Sequence, residues 1–104
     1  MFTRVRNYLK RRTMKTLVSV SNEKSSSITF YIEPWGEDYT VLPQECYDVR
    51  FPSKSMQTVS AAIVVLENND IQLYIEGVLG KKALQFGVYN GEQLLELGHN
   101  RRPD

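Results

Sequence analysis

Residues 28–33 read Ile-Thr-Phe-Tyr-Ile-Glu, and residues 71–76 read Ile-Gln-Leu-Tyr-Ile-Glu. In each stretch, apolar residues alternate with residues that tolerate solvent, which is the period-two pattern of a strand with one buried face. The likeness ends after these six residues, so we interpret the stretches as separate strands under the same demands and not as a duplication. They predict a protein built on β-strands.

Short apolar segments separated by turn residues continue this pattern along the chain. Val59–Leu66 is apolar on both faces, which predicts a central strand of a sheet. The strand–helix–strand alternation of a parallel sheet is missing. The further predicted strands are Leu17–Val20, Tyr39–Leu42, Tyr47–Phe51 and a pair flanking Asn90-Gly91. We predict an all-β fold, an antiparallel β-sandwich or small barrel of roughly seven or eight short strands.

The Asn68-Asn69 pair predicts a two-residue hairpin loop, because asparagine tolerates the left-handed backbone that a type I′ turn demands. In this register Leu66 faces Ile71. Two residues further along the ladder, Val64 faces Leu73. Both pairs are apolar, so the register is consistent with one buried face.

Asn90-Gly91 is a stronger turn signal of the same kind. Its predicted register places Phe86 opposite Leu95. The neighbouring apolar pair in that register is Leu84 with Leu97. This hairpin would close the sheet near the C-terminus.

Size and composition indicate one domain of 104 residues. Cys46 is the only cysteine, so an intrachain disulfide is excluded and the fold must be held by packing. The longest apolar run, Ala61–Leu66, is far shorter than the roughly 20 residues of a membrane-spanning helix. We expect a soluble, cytoplasmic protein with neither an integral membrane segment nor a signal peptide.

Charge is distributed unevenly. The first 15 residues contain no acid, while the rest of the chain carries all 12 acids. The basic residues of this arm are Arg4, Arg6, Lys10, Arg11, Arg12 and Lys15. Phe2, Val5 and Leu9 would share one face of a short helix. Such an arm is a candidate for contacting nucleic acid or anionic membrane, and an unstructured extension upstream of Met14 is the alternative.

This charge asymmetry also suggests the domain organisation. We predict a basic N-terminal extension over residues 1–15 and a single β domain over residues 16–98. Residues 99–104 are predicted to be a flexible tail, because chain ends are often poorly ordered.

An acidic turn is the first candidate for a site. Glu33, Glu37 and Asp38 flank the sequence Pro34-Trp35-Gly36. Paired carboxylates serve as acid and base in glycosidases, so the turn is a candidate small hydrolase or carbohydrate-active site. A solvated structural turn, with Trp35 covering one end of the core, is the alternative.

Outward-facing aromatic residues are the second candidate. Tyr31 and Tyr74 point away from the apolar faces of their own predicted strands, as binding anchors do. Rings that pack across neighbouring strands are the alternative. The combined candidate binding residues are Tyr31, Glu33, Trp35, Glu37, Asp38 and Tyr74.

Common catalytic signatures are missing from the sequence. His99, the single histidine, lies near the C-terminus, and Cys46 follows Glu45, whose negative charge disfavours the reactive thiolate. We therefore predict no catalytic residue, no metal ligand and no cofactor.

The stretch Ile28–Pro43, which reads ITFYIEPWGEDYTVLP, resembles a group of short bacterial β-proteins that have no assigned activity. Those proteins carry an apolar-x-Glu-Pro-Trp-Gly core followed by a Leu-Pro turn, matched here by residues 33–36 and 42–43. The resemblance implies a small β fold and a bacterial origin.

Three hypotheses for function follow from these observations. The leading one is a non-enzymatic module that binds a protein partner, or itself as a homodimer, through an edge strand or an aromatic face. The second is a small hydrolase or sugar-active site at the acidic turn. The third is a nucleic-acid or membrane accessory protein that acts through residues 1–15.

Overall fold

The computed structural model describes residues 13–77 and 85–102. Eight strands in these ranges form two four-stranded sheets. The strands are β1 (Met14–Ser21), β2 (Ile28–Glu33), β3 (Glu37–Val41), β4 (Cys46–Pro52), β5 (Ser60–Val65), β6 (Ile71–Glu76), β7 (Gly87–Asn90) and β8 (Gln93–Leu94). The all-β prediction is therefore confirmed.

The first sheet has the strand order β1-β4-β7-β8, and the second sheet has the order β3-β2-β6-β5. Two separate sheets make the architecture a sandwich. The expectation of purely antiparallel pairing is wrong, because β2 and β6 are parallel, with Phe30 opposite Ile71. The chain leaves the second sheet after β3 to form β4 and returns to it only with β5 and β6. The two strands of similar sequence are thus neighbours at the centre of one sheet.

Alternating residues of both sheets meet in one hydrophobic core. In β2, Phe30 and Ile32 are fully buried, while Tyr31 between them is only partly buried. Other fully buried members are Tyr39, Val41, Tyr47, Val49, Phe51, Leu73, Phe86 and Val88. Each buried large side chain removes enough apolar surface from water to contribute about 1.5–3 kcal/mol before entropy is counted. The period-two pattern of the sequence is what brings these residues onto the inner faces.

The predicted position and register of β5 are both wrong. β5 is an edge strand, and Ile63, not Val64, lies opposite Leu73. The loop is longer than two residues, because the Leu66 N–H donates to the Asp70 carbonyl at 2.8 Å. This slip of one residue turns Ile63 towards the inner side of the sheet and Val64 towards the outer side.

The predicted register of the last hairpin is also wrong, although its faces are preserved. Asn90 pairs with Gln93, so the turn residues are Gly91 and Glu92. The Leu95 N–H donates to the carbonyl of Val88, two residues away from its predicted partner, Phe86. An even-numbered slip keeps side chains on the same face. Leu84 lies outside the described residues.

The first strand begins inside the predicted N-terminal extension. Met14 pairs with Pro52 and Lys15 with Phe51, so both belong to the β domain. Residues 1–12, which carry the other basic residues of the arm, lie outside the described ranges. Among the described residues, no helix is long and apolar enough to cross a membrane.

Candidate protein-binding site

The acidic turn is built around a buried tryptophan. Trp35 is 8% exposed, and its ring centroid lies 4.9 Å from that of Phe86. The Glu33–Pro34 peptide bond is cis, and the Gly36 N–H closes the turn on the Ile32 carbonyl at 2.9 Å. Trp35 therefore belongs to the core and offers no open ring surface to a ligand.

The three carboxylates of the turn lie on two sides of the sheet. Glu37 lies opposite the buried Ile32, and its carboxylate accepts a hydrogen bond from the Tyr39 hydroxyl at 2.9 Å. Asp38 follows on the outer face, since successive strand residues alternate. Glu33 is also on the outer face, beside Tyr74. The structure does not bring Glu33, Glu37 and Asp38 together with the tryptophan.

Asp38 is already engaged by the C-terminal segment. Arg101 approaches it with two nitrogens, Nε at 2.9 Å from Oδ2 and an Nη at 2.6 Å from Oδ1. This fork geometry is the strongest arrangement that an arginine makes with a carboxylate. A carboxylate held in this way is neither a free base nor an open cation ligand.

The outer face of the second sheet carries the two outward tyrosines. Tyr31 lies opposite Gln72, and Glu33 lies opposite Tyr74 on the parallel neighbour. On the other side of β6, Ala62 lies opposite Tyr74. Tyr74 is 42% exposed, whereas Tyr31 is partly buried. Of the predicted binding residues, the structure therefore gathers Tyr31, Glu33, Asp38 and Tyr74 on one face and places Trp35 and Glu37 on the other.

No described residue pairs with the outer edge of β5, and this free edge adjoins the same face. Hydrogen-bonded pairs alternate along an antiparallel ladder, and the Leu66 amide points towards β6. By the same alternation the backbone groups of Ala62 and Val64 also point towards β6. The backbone groups that point away from the sheet belong to Ala61, Ile63 and Val65.

The side chains along this edge are apolar and open to solvent. Ile63 is 56% exposed and Val65 is 67% exposed on the inner side, and Val64 is 41% exposed on the outer side. β5 contains no charged residue and no proline. Natural sheets usually protect an edge with charge, proline, a bulge or a cover, because a bare edge is a template for another strand.

The other sheet edges carry such protection within the described ranges. The Gly98 N–H donates to the Asp38 carbonyl and the Thr40 N–H donates to the His99 carbonyl, both at 2.9 Å, so the C-terminal segment covers β3. β1 carries Lys15 and a bulge near Thr16, and β8 is two residues long. β5 is the exception.

The C-terminal segment was predicted to be a flexible tail, but its described part, residues 99–102, is held against the domain. Arg102 ion-pairs with Asp70, whose side chain is 2% exposed. Asp70 also accepts the backbone N–H of Thr29 at 2.8 Å. Both arginines belong to the predicted tail, and the sequence predicts no acidic partner for them.

A polar cluster fixes the start of the same segment. The buried Tyr47 hydroxyl donates to Glu45 at 2.7 Å and accepts from Asn100 at 3.1 Å. His99 packs edge-on against the Tyr47 ring, at a centroid distance of 5.6 Å. Burial raises the pKa of Tyr47 well above its ordinary value, and the Glu45 carboxylate raises it further. These residues stabilise the segment, and His99 serves there as a packing group.

Ile63 and Val65 are not among the predicted site residues, because a strand that is apolar on both faces predicts a central position in a sheet. Their exposure follows from the edge position of β5, which no local pattern of the sequence encodes. The register of β5 also depends on a remote contact, because Asp70, which precedes β6, accepts the Thr29 amide. No protein-family model matches the chain, and no curated protein or solved structure is significantly similar to it.

Proposed function

We propose that the protein is a non-enzymatic protein-binding module that takes up an extended strand of its partner along the free edge of β5. The observation that carries this proposal is the uncharged edge Ser60–Val65, with Ile63 and Val65 more than half exposed. Edge addition draws its affinity from main-chain hydrogen bonds and its specificity from alternate side chains.

The side chains around the edge suit an apolar strand. An added strand would place one face against Ile63 and Val65, and the other beside Val64 and Tyr74. Tyrosine and branched aliphatic side chains pack well across neighbouring strands. Acidic or basic strands find no counter-charge on β5, so we propose a partner segment rich in Val, Ile or Thr.

The free, exposed Cys46 suits a reducing compartment, and we propose the cytoplasm as the site of action. The contacts of the acidic turn give no support to the hydrolase hypothesis. The basic-arm hypothesis concerns residues that lie almost wholly outside the described ranges, so it stays a sequence prediction.

The experiment is a titration of the isotope-labelled full chain with a capped peptide of alternating Val and Thr, followed by NMR. We expect amide shifts at Ala61, Ile63 and Val65, and weaker shifts on β6. A peptide N-methylated at every second residue is the matched control, because it lacks the donors that edge pairing requires. Binding of both peptides alike, or no change at β5 at millimolar peptide and at a protein concentration where the chain is monomeric, would overturn the proposal.

A paired variant separates the edge from general hydrophobic binding. Ile63→Lys introduces a charge on the edge, whereas Leu97→Lys makes the same kind of change at a residue that is 50% exposed elsewhere. We expect the first to abolish the peptide shifts and the second to leave them unchanged. Retention of binding in Ile63→Lys would place the peptide on another surface.

A further inference from the structure

The free edge of β5 is complementary to a second copy of itself. We infer that two chains associate by antiparallel pairing of β5 with β5, with Ile63 of one copy opposite Ile63 of the other. This inference rests on the proposed use of β5 as a binding edge and specifies the partner. The result would be one continuous sheet across a two-fold axis, which is the commonest symmetry of homo-oligomers.

The backbone geometry selects this register. Ala61, Ile63 and Val65 direct their N–H and C=O groups away from β6. With Ile63 on the axis, Ala61 of each copy lies opposite Val65 of the other, so every outward-pointing group finds a partner. About six intermolecular hydrogen bonds result, two for each such pair. A shift by two residues in either direction would leave some of these groups unpaired.

The side-chain sizes select the same register. β5 reads Ser-Ala-Ala-Ile-Val-Val, with small residues at its start and branched residues at its end. Antiparallel self-pairing places Ala61 opposite Val65 on the inner side and Ala62 opposite Val64 on the outer side. These two kinds of row combine a small side chain with a larger one, which favours close packing between strands, while the central row places Ile63 against Ile63.

The charges near the edge permit self-pairing. β5 itself is uncharged, and the flanking acids are Glu67 and Glu76. In the inferred register Glu67 lies opposite Val59 of the second copy. Glu76 lies one strand further in, beside Ser60. Among the described residues of the two edges, no like charges oppose one another in this register, so the repulsion that normally keeps identical edges apart is absent there.

The exposed tyrosine of the outer face extends the contact. Tyr74 lies beside Ala62, whose small side chain leaves room above the sheet. Val64 of the second copy would lie on the far side of that alanine. An aromatic ring reaches diagonal neighbours across a sheet. We therefore assign Tyr74, whose residue is 42% exposed, to the rim of this interface.

Sedimentation and hydrogen exchange of the full chain test the inference. We expect a monomer–dimer equilibrium, with the amides of Ala61, Ile63 and Val65 becoming protected as protein concentration rises. The amides of Ala62 and Val64 should be protected at every concentration, because they face β6. A protein that stays monomeric at about 1 mM, the concentration scale of weak association, with three freely exchanging edge amides, would overturn the inference.

Ile63→Lys is the disrupting variant, since two lysines would face each other on the axis. We expect it to raise the dimer Kd at least about 100-fold, while Leu97→Lys leaves the Kd unchanged. Circular dichroism and Trp35 fluorescence are the measurements that check whether both variants are folded. A dimer that survives Ile63→Lys uses another surface, and the inference then fails.

Cysteine cross-linking tests the register. In a Cys46→Ser background, Ile63→Cys places two thiols on residues whose Cα atoms should lie about 5.5 Å apart, within disulfide range. Under a mild oxidant we expect Ile63→Cys to form covalent dimers much faster than Val64→Cys, whose two copies are offset along the strands. The opposite order would contradict the Ile63-centred register.

Failure of self-association and failure of edge binding are distinguishable. If the chain is monomeric but the Val/Thr peptide shifts the β5 amides, the dimer is wrong and the binding edge stands. If neither the peptide nor a second copy protects Ala61, Ile63 and Val65, both proposals fall together.

Discussion

A single glycine fixes where β6 ends. Gly77 has a φ of +77°, and a Cβ built there would overlap the carbonyl oxygen of Thr58. Gly91 has a similar φ of +61° but no atom within 4 Å of such a Cβ. Gly77 therefore requires glycine for both space and backbone conformation, whereas Gly91 requires it for backbone conformation alone.

Gly77→Ala should lower the free energy of unfolding by about 2–4 kcal/mol, because it adds a backbone clash to the cost of a positive φ. Gly91→Ala should cost only about 1–2 kcal/mol, the cost of the left-handed backbone alone. Urea unfolding of both variants checks the difference. Equal losses in the two variants would mean that the approach of Thr58 to Gly77 is not part of the folded structure.

The raised pKa of Tyr47 predicts that the folded protein loses stability at alkaline pH. Its pKa is raised in the folded protein, first by burial and then by Glu45. Below about pH 10, the ordinary pKa of tyrosine, the residue is neutral in both states. As pH rises above that value the unfolded state loses the proton first, so the folded state loses relative stability.

Tyr47→Phe should therefore be less stable near neutrality, by about 1 kcal/mol for the lost hydrogen bonds, and should show a flatter decline above pH 10. Glu45→Gln removes the charge and keeps an acceptor. Its stability above about pH 10 should decline less steeply than that of the wild type and more steeply than that of Tyr47→Phe. Urea midpoints between pH 8 and pH 11, compared with the wild type, measure the effect. Parallel declines in all three proteins would contradict the role of Tyr47.

Among the secondary-structure elements, β3 has its outer edge covered by the C-terminal segment and not by another strand. Gly98 and His99 satisfy the outward backbone groups of Asp38 and Thr40, and the two arginines hold the segment in place. β3 is therefore protected by a piece of the same chain. β5 has no such cover among the described residues, and the contrast between these two edges of one sheet underlies the proposed function.

Replacing each of the two arginines of that segment should lower the free energy of unfolding by a different amount. Arg102→Ala leaves the buried carboxylate of Asp70 without its cation and should cost about 1–3 kcal/mol. Arg101→Ala breaks a pair whose arginine is 62% exposed, and should cost at most about 1 kcal/mol. Urea unfolding compares the two. A larger loss for Arg101→Ala would mean that burial of the carboxylate does not set the order.

The alternating pattern of the sequence was sufficient to predict strands and not their partners. Residues 28–33 and 71–76 are predicted as half-buried strands, and both are strands; β6 has exposed residues on one face, whereas β2 has none. Nothing local to either stretch encodes that they are parallel neighbours, because that pairing depends on the path of the chain between them. The β5 register failed for a related reason, since Asp70 is fixed by the amide of Thr29, which is remote in sequence.

The candidate site was predictable only in part, because the sequence pattern reports local features and not contacts between distant segments. Tyr31 and Tyr74 face outward because strand alternation is a local property. The sequence left open whether Trp35 binds a ligand or covers the core, because its partner, Phe86, comes from the other half of the chain. Exposure of Ile63 and Val65 depends on the position of β5 at an edge, which is a property of the whole sheet.

Across the whole molecule, aromatic contacts join the two sheets at one end of the core. Trp35 lies in the β2–β3 turn of the second sheet and contacts Phe86, which in turn lies 5.2 Å, centroid to centroid, from Phe51 in the first sheet. Phe86 therefore contacts residues of both sheets. A fold whose sheets share one core should unfold as a unit.

Phe86→Ala should lower the free energy of unfolding by about 3–5 kcal/mol, the usual cost of deleting a buried aromatic side chain. It should also shift Trp35 emission towards the red, because the indole loses its neighbour and gains contact with water. Leu97→Ala, at an exposed position, is the control and should stay within about 0.5 kcal/mol of the wild type. In the wild type, Trp35 fluorescence and far-UV circular dichroism should report the same midpoint in urea. Loss of the tryptophan signal ahead of the strand signal would show instead that the end of the core around Phe86 opens separately, and that the two sheets do not depend on it for cooperativity.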